Sequence, residues 1–184
     1  MMQQYLRHRF LFEELVKRDF KKKYKRTVLG MAWSLLSPLL MLLVMKLVFT
    51  QFFGRTMEHY TIYLFCGNLV FSYFNESTSQ GMTSLVNNAA IFTKVNIPKY
   101  LFLFSKNVQT LINFSLTLCI FFVFCGLDQI LFTWKFLLLL YPVCLLVLFN
   151  IGVGLILSAL YVFFRDIQYL WGIFTQILLY ASAI

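Results

Sequence analysis

Apolar residues collect into five long runs along this sequence, and short polar segments separate the runs. They cover residues 29–53, 60–86, 100–125, 135–163 and 167–184. About 20 helical residues cross the roughly 30 Å hydrocarbon core of a bilayer. Within lipid, the backbone N–H and C=O groups have no water to bind and must form hydrogen bonds inside the segment itself. Each run therefore predicts a membrane-spanning helix. The expected fold is therefore all-α, a polytopic transmembrane helical bundle with five spans.

The segment ahead of the first run has a different pattern, with apolar and basic residues on opposite faces of a helix. Over residues 10–28, the apolar positions recur every three or four residues: Phe12, Leu15, Val16, Phe20 and Tyr24. Basic residues take the other face: Lys17, Arg18, Lys21, Lys22 and Lys25. This pattern is typical of an amphipathic helix in the membrane interface, although a solvated basic leader is the alternative. The chain thus divides into an N-terminal part, 1–28, and a transmembrane domain, 29–184.

The composition agrees with a membrane protein and limits its partners. Of the 184 residues, 60% are hydrophobic and 12% are charged, whereas a soluble domain carries about 25% charged residues. The net charge is +9, and nine of the sixteen basic residues precede residue 27. A basic cluster beside a span usually meets anionic lipid headgroups. We therefore expect membrane lipid, and not nucleic acid, as the partner of this cluster.

The basic residues also predict the orientation of the spans. Twelve of them fall in the N-terminal segment, in the connection 87–99 and at Arg165, while only Arg55 and Lys135 fall in or directly beside the other loops. Lys and Arg are enriched in cytoplasmic loops. We therefore expect the N-terminus and the connection 87–99 in the cytoplasm, and the loops 54–59 and 126–134 outside.

The sequence holds no motif for catalysis, nucleotide binding or metal binding. No glycine is followed by lysine, so a P-loop is missing, and so are H-E-x-x-H and G-x-S-x-G. The four cysteines lie in or beside apolar runs without a C-x-x-C pair, which predicts small buried hydrophobic residues and not disulfides or ligands. We expect no metal, no cofactor and no enzymatic activity. If the protein moves a molecule against a gradient, the energy must come from a separate subunit.

Polar side chains inside the runs follow helical spacing, which places them in stripes. One stripe comes from each of the second, third and fourth runs: Asn68, Ser72, Asn75 and Ser79, bordered by Glu76; Lys106, Thr110, Asn113 and Thr117; Asn150, Gly154 and Ser158. Such stripes either allow helices to pack closely or line a hydrophilic path through the bundle. The sequence leaves both interpretations open.

Three charges within the runs need an explanation. Glu76 lies about 15 Å from the end of its run and Lys106 about 9 Å from the start of the next. We expect the two to pair, because an unpaired buried charge is costly. Lys46 either snorkels outward or contacts an anionic substrate.

Three short segments resemble the permease subunits of type 2 ABC transporters that export polysaccharides or polyol phosphates, such as O-antigen, capsule and wall teichoic acid. The first is 18–38, where a basic stretch around Tyr24 is followed by Leu29-Gly30, Trp33 and Pro38. The others are 91–98, between the second and third runs, and 163–167, between the fourth and fifth. Their order along the chain also resembles that family.

The resemblance implies more than the residues show. Such permeases have six spans, act as homodimers with two separate ATPase subunits, and move a lipid-linked glycan across the bacterial cytoplasmic, or inner, membrane. Since this sequence ends within the fifth run, we expect a truncated six-span permease. The alternatives are a permease of the same superfamily for a drug or lipid, and a membrane scaffold without transport.

Two sets of residues follow from this hypothesis. Coupling to the ATPase is expected at cytoplasmic elements, through Ile91, Phe92, Lys94, Val95, Pro98, Arg165 and Asp166. Contacts with the substrate are expected from aromatic rings, which stack on sugars, and from one cation: Trp33, Phe174, Tyr180 and Lys46. For Trp33, as for Tyr169 and Trp171, anchoring at headgroup depth is the alternative.

Overall fold

A computed structural model describes residues 11–21, 29–53, 59–92, 98–130 and 133–182. Every regular element in these ranges is a helix. We number them α1 (11–21), α2 (Trp33–Phe53), α3 (Tyr60–Asn87), α4 (Ala89–Phe92), α5 (Tyr100–Leu127), α6 (Leu140–Phe163) and α7 (Ile167–Ala181). Short 3-10 helices, Gly30–Ala32 and Trp134–Leu139, lead into α2 and α6. The predicted all-α bundle is confirmed.

The five apolar runs correspond to α2, α3, α5, α6 and α7, with ends within a few residues of those expected. Gly30, in the Leu-Gly step, has a φ of +50°, a left-handed conformation that glycine adopts without steric cost. Pro38 lies inside α2. Of the described helices, α5 and the stretch Phe136–Phe163 combine the length and apolarity of a membrane span, and α2 contains a shorter apolar stretch, Trp33–Val48. The count of five spans therefore stays a prediction.

Helix α3 lies at the centre of the bundle. Helices α5, α6 and α2 all pack against α3, and α2 also contacts α5. Helix α7 contacts α3 and α6. Aromatic side chains fill the space between α3 and α5, where the rings of Tyr73 and Phe114 are 4.6 Å apart and those of Phe65 and Phe121 are 6.3 Å apart. This core holds the helices that carry the polar stripes.

The α3–α6 contact is close because both helices present small residues there. A Cβ atom added to Gly81 would lie 3.4 Å from the Cα atom of Gly154. On either side of Gly154 along α6, Asn150 is fully buried and Ser158 is 3% exposed. For the stripe of the fourth run, the structure thus favours helix packing over a hydrophilic path.

Polar contacts show which connections share an end of the bundle. The guanidinium of Arg18 donates to Oδ1 of Asn88 at 2.7 Å, which joins α1 to the end of α3. At the other end of the 28-residue α3, Nδ1 of His59 lies 3.2 Å from Oδ2 of Asp128. Helix α1 and Asn88 therefore lie at one end, and His59 and Asp128 lie at the opposite end, an arrangement that agrees with the charge pattern.

Helix α1 packs on protein with part of its apolar stripe. Leu15 is 7% exposed and packs with the fully buried Phe102 of α5, and Ile91 of α4 joins the same cluster. Asp19, on the same side of α1, is 3% exposed. The amphipathic pattern led us to expect that this side of α1 contacts lipid, but it contacts α4 and α5 instead. Tyr24, which belongs to the same predicted stripe, lies outside the described residues.

The cysteines only partly match the expectation. All four lie within the described residues and are unpaired. Cys125 is buried and Cys66 packs against the core, but Cys119 and Cys144 are exposed on the outer faces of their helices. The prediction of buried cysteines is wrong for these two, because an apolar run does not reveal which of its faces points into the bundle.

Candidate functional site

A groove of about 490 Å³ lies between α2, α3 and α5. Polar side chains of all three helices line it: Ser34 and Ser37 from α2; Asn68, Ser72 and Glu76 from α3; Thr110, Asn113 and Thr117 from α5. Trp33, Met41 and Phe114 are among the apolar residues that complete the wall. Polar groups on helices of a membrane bundle usually face a cavity or a protein partner, because contact with lipid is costly.

The stripe of α3 reaches this groove because α3 has two polar faces. One face points into the bundle, where Ser77 and Thr78 are fully buried and Ser77 donates to Asn107 of α5 at 2.6 Å. The other face carries Asn68, which is half-buried, and Ser72, which is exposed. This face of the second run's stripe is therefore open to the groove and not packed against another helix; its use as a hydrophilic path stays a prediction.

Glu76 is part of the groove wall, and neighbouring amides donate hydrogen bonds to its carboxylate. Oε1 of Glu76 accepts a hydrogen bond from Nε2 of Gln80 at 2.9 Å and one from Nδ2 of Asn113 at 3.5 Å. Among the lining residues that the structure describes, Glu76 is the one charged side chain. A carboxylate accepts hydrogen bonds and cannot donate them, so this part of the groove suits hydroxyl and amino groups.

Trp33 lies at the start of α2 and contributes an aromatic surface to the groove. Its side chain is 37% exposed, so an indole face is accessible to a bound molecule. Pro38, five residues further along α2, also lines the groove and has no backbone N–H to donate within the helix. The groove thus combines hydroxyls, amides, one carboxylate and an aromatic ring, and this combination can bind a polyhydroxylated molecule.

Comparison with known proteins gives the family. The sequence profile of the ABC-2 type transporter family matches residues 11–184. This chain belongs to the ABC-2 type transporter family. Because the match extends from α1 to the end of the sequence, the groove and the helices around it lie within the region that defines the family.

Three curated relatives carry the same description, O-antigen export system permease protein RfbA. The protein from Myxococcus xanthus is 30% identical over 172 residues, which is 92% of this chain and 65% of the relative. Two proteins from Klebsiella pneumoniae are 28% and 26% identical over 181 and 184 residues, 95% of this chain and 69% of each relative. The chain therefore spans about two thirds of the length of these relatives.

Other residues proposed for the substrate path of this ABC-2 chain lie away from the groove. Tyr180 is 84% exposed and Phe174 is 49% exposed, both on α7, and Lys46 is exposed on α2. Of the four residues expected, the structure brings only Trp33 to the groove. Asn75 is also exposed on α3, next to the groove, and accepts a hydrogen bond from the hydroxyl of Ser79 at 3.3 Å.

Trp171, for which we considered headgroup anchoring, is held by the bundle. Its Nε1 donates to the hydroxyl of Thr78 at 3.2 Å, and its ring stacks on Phe174 at 5.2 Å. The hydrogen bond to Thr78 joins α7 to α3, whereas the stacked pair lies within α7. No feature of the sequence near Trp171 indicates this partner, since Thr78 lies 93 residues away.

The segment expected to couple this ABC-2 chain to an ATPase is described in part. Ile91 and Phe92 lie in the short helix α4, and Ile91 packs on Leu15 and Phe102. Pro98 precedes α5, and its carbonyl accepts the N–H of Leu101 at 3.1 Å. Lys94 and Val95 lie outside the described residues. Between α6 and α7, both Arg165 and Asp166 are exposed.

Lys106 has a different partner from the one expected. Its Nζ lies 3.0 Å from Oδ2 of Asp19 and 3.4 Å from Oε1 of Gln109. The predicted pairing of Lys106 with Glu76 is therefore wrong, because α1 brings a carboxylate to this side of α5. The sequence held part of the signal, because Asp19 is an acidic residue on the apolar side of a strongly basic helix and so requires a cation. Nothing in the sequence identifies that cation as Lys106.

Proposed function

We propose that this chain is the transmembrane permease subunit of an ABC exporter that moves a lipid-linked polysaccharide across the bacterial inner membrane. The observation that carries the proposal is the groove between α2, α3 and α5, whose wall combines polar side chains from all three helices with aromatic and apolar ones. A glycan needs hydroxyl and amide partners along its path, and the groove supplies them together with Trp33. The names of the relatives, O-antigen export permeases, agree with this substrate class.

The same proposal requires a separate ATPase, because the sequence contains no P-loop. Its docking surface is the end of the bundle where α1 and α4 meet, with the connection 87–99, Arg165 and Asp166. This end faces the cytoplasm in the proposal, in agreement with the excess of basic residues there. The complex contains two copies of the permease and two of the ATPase, as the resemblance implies.

Export can be measured as polysaccharide on the surface of cells that lack their own permease and express the complete gene product with its ATPase. We expect surface polysaccharide with the native protein and none with an ATPase that cannot hydrolyse ATP. Ser72→Phe places a ring in the groove and should reduce export about tenfold or more, at unchanged membrane levels, because it competes with the glycan for the same volume.

Val70→Phe is the matched control. Val70 lies on the same helix, is 40% exposed and is not among the residues that line the groove, so export should continue. Normal export by Ser72→Phe would contradict the assignment of this groove as the glycan path.

A further inference from the structure

A buried polar cluster lies between α3 and α6, near the middle of both helices. Asn150 of α6 is fully buried, and Tyr73 of α3 is 2% exposed. The hydroxyl of Tyr73 faces the side chains of Asn150 and Ser77. The ring of Tyr73 packs on Phe114 of α5, and Tyr73 also belongs to the groove wall. The cluster therefore adjoins the groove from the inside of the bundle.

Three atoms of this cluster form no hydrogen bond with the residues that the structure describes. They are the hydroxyl oxygen of Tyr73 and both the oxygen and the nitrogen of the Asn150 amide. Tyr73 thus lies beside Asn150 without a hydrogen bond of normal geometry between them. An amide offers two N–H donors and a carbonyl acceptor, so the cluster presents donors and acceptors together, whichever way the amide is oriented.

The hydroxyl protons on the adjacent turn of α3 are already used. Ser77 donates to Oδ1 of Asn107 at 2.6 Å, and Thr78 donates to the carbonyl of Phe74 at 2.8 Å. A hydroxyl has one proton to donate, so neither can satisfy the oxygen of Asn150. Buried polar groups without a partner are costly, and nearly all of them in proteins bind either protein or ordered water. The partner of these three atoms therefore comes from outside the described polypeptide.

The chemistry of the cluster identifies that partner. A hard cation is bound by oxygen ligands, whereas the amide of Asn150 also presents N–H groups. A water molecule both donates and accepts, and a buried water typically makes about three hydrogen bonds to otherwise unsatisfied polar groups. We infer that Tyr73 and Asn150 hold a buried water molecule between α3 and α6, which bridges the hydroxyl of one side chain to the amide of the other.

This water adds a polar link to the close backbone contact of the same two helices. Gly81 meets Gly154 one helical turn beyond Ser77 and Asn150. Because Tyr73 is also part of the groove wall, the water fixes this part of the wall from behind. The inference does not depend on which molecule the groove transports.

Radiolytic footprinting of the complete permease in nanodiscs tests the site, since X-rays split a bound water into a hydroxyl radical that oxidises the side chain beside it. Tyr73 should be oxidised in the native protein although it is buried. Asn150→Leu, which replaces the amide by an apolar group of similar size, should abolish this oxidation.

Ser158→Ala is the matched control. Ser158 is buried on the same helix, and its hydroxyl donates to the carbonyl of Leu155 at 2.9 Å, so oxidation of Tyr73 should stay at the native level. Equal oxidation of Tyr73 in the native protein and in both variants would overturn the inference, and so would an unoxidised Tyr73 in the native protein.

High-resolution cryo-electron microscopy of the native complete permease is a second measurement, which stands even if Asn150→Leu does not fold. We expect a density peak within about 3 Å of Oη of Tyr73 and of the Asn150 amide, the distance of a normal hydrogen bond. A direct hydrogen bond between the two side chains, with no density between them, would contradict the inference. A peak that appears only with sodium or potassium ions would also contradict it, because the ligand would then be a cation.

Discussion

The amino group of Lys106 lies 3.0 Å from the carboxylate of Asp19, and this pair joins the N-terminal helix to α5. The other oxygen of Asp19 accepts hydrogen bonds from Arg18 at 2.7 and 2.9 Å, and the side chain of Gln109 donates to the backbone carbonyl of Asp19 at 3.3 Å. Asp19 is 3% exposed, so its charge is compensated almost entirely by protein. The helix α1 is thus fixed to the bundle at the end where the ATPase is proposed to dock.

Asp19→Ala should destabilise the protein by about 3 kcal/mol, because it removes the acidic partner of a largely buried lysine. The free energy of unfolding in mixed micelles measures this loss. Glu14→Ala is the control, since Glu14 pairs with Lys17 at 3.4 Å on an exposed surface and should cost less than about 1 kcal/mol. Equal effects of the two substitutions would mean that the Asp19–Lys106 pair does not hold α1.

The α3–α6 contact leads to a second prediction. A Cβ atom at Gly154 would meet Leu103 at 3.5 Å and Gly81 at 3.8 Å, whereas one at Gly152 would meet nothing within 4 Å. Gly154→Ala should therefore fold normally, and Gly154→Leu should cost about 1–3 kcal/mol through overpacking. Gly152→Leu is the matched control, and unfolding measurements should place it near the native protein. A tolerated Gly154→Leu would contradict the packing described for these helices.

The orientation of the bundle can be tested by cysteine labelling in a variant that lacks the four native cysteines. Thr133 and Asn87 are both exposed and lie near opposite ends of the bundle. A reagent that does not cross the membrane, added from outside, should label Thr133→Cys in intact cells and should label Asn87→Cys only after lysis. Asn88 would be a poor probe because it is 5% exposed. The reverse labelling pattern would contradict the cytoplasmic position that we propose for α1.

Docking of the ATPase should depend on Phe92, the largest apolar side chain in the proposed coupling segment. Phe92→Asp in the complete permease should leave membrane insertion normal and reduce co-purification of the ATPase about thirtyfold, the effect of losing an interface contact worth about 2 kcal/mol. Gln129→Asp, at the opposite end of the bundle, should retain the ATPase. Undiminished co-purification with Phe92→Asp would show that this segment is not the main coupling element.

The sequence predicts the helices well and their contacts poorly. The apolar runs give the start of α3 and both ends of α5, because the composition changes sharply at those points. The partner of Lys106 could not be derived, since the pairing with Asp19 depends on how α1 lies across α5. The contact of Trp171 with Thr78 is likewise a product of tertiary packing.

Part of the candidate site was also within reach of the sequence. The helical spacing of Asn68 and Ser72 predicts a shared face, and Trp33 was among the residues expected to contact substrate. The spacing does not indicate whether such a face packs or stays open. The corresponding stripe around Gly154 is buried, because α6 crosses α3 there, while the stripe around Ser72 is left accessible to the groove.

The central claim is that a glycan passes through the groove between α2, α3 and α5, and photo-cross-linking tests it most directly. A benzophenone amino acid at position 72, in cells producing polysaccharide and with the ATPase stalled after ATP binding, should capture the lipid-linked glycan. The same amino acid at position 70, on the face of α3 outside the groove, should not. Capture at position 70 equal to that at position 72, or no capture at position 72, would contradict the claim.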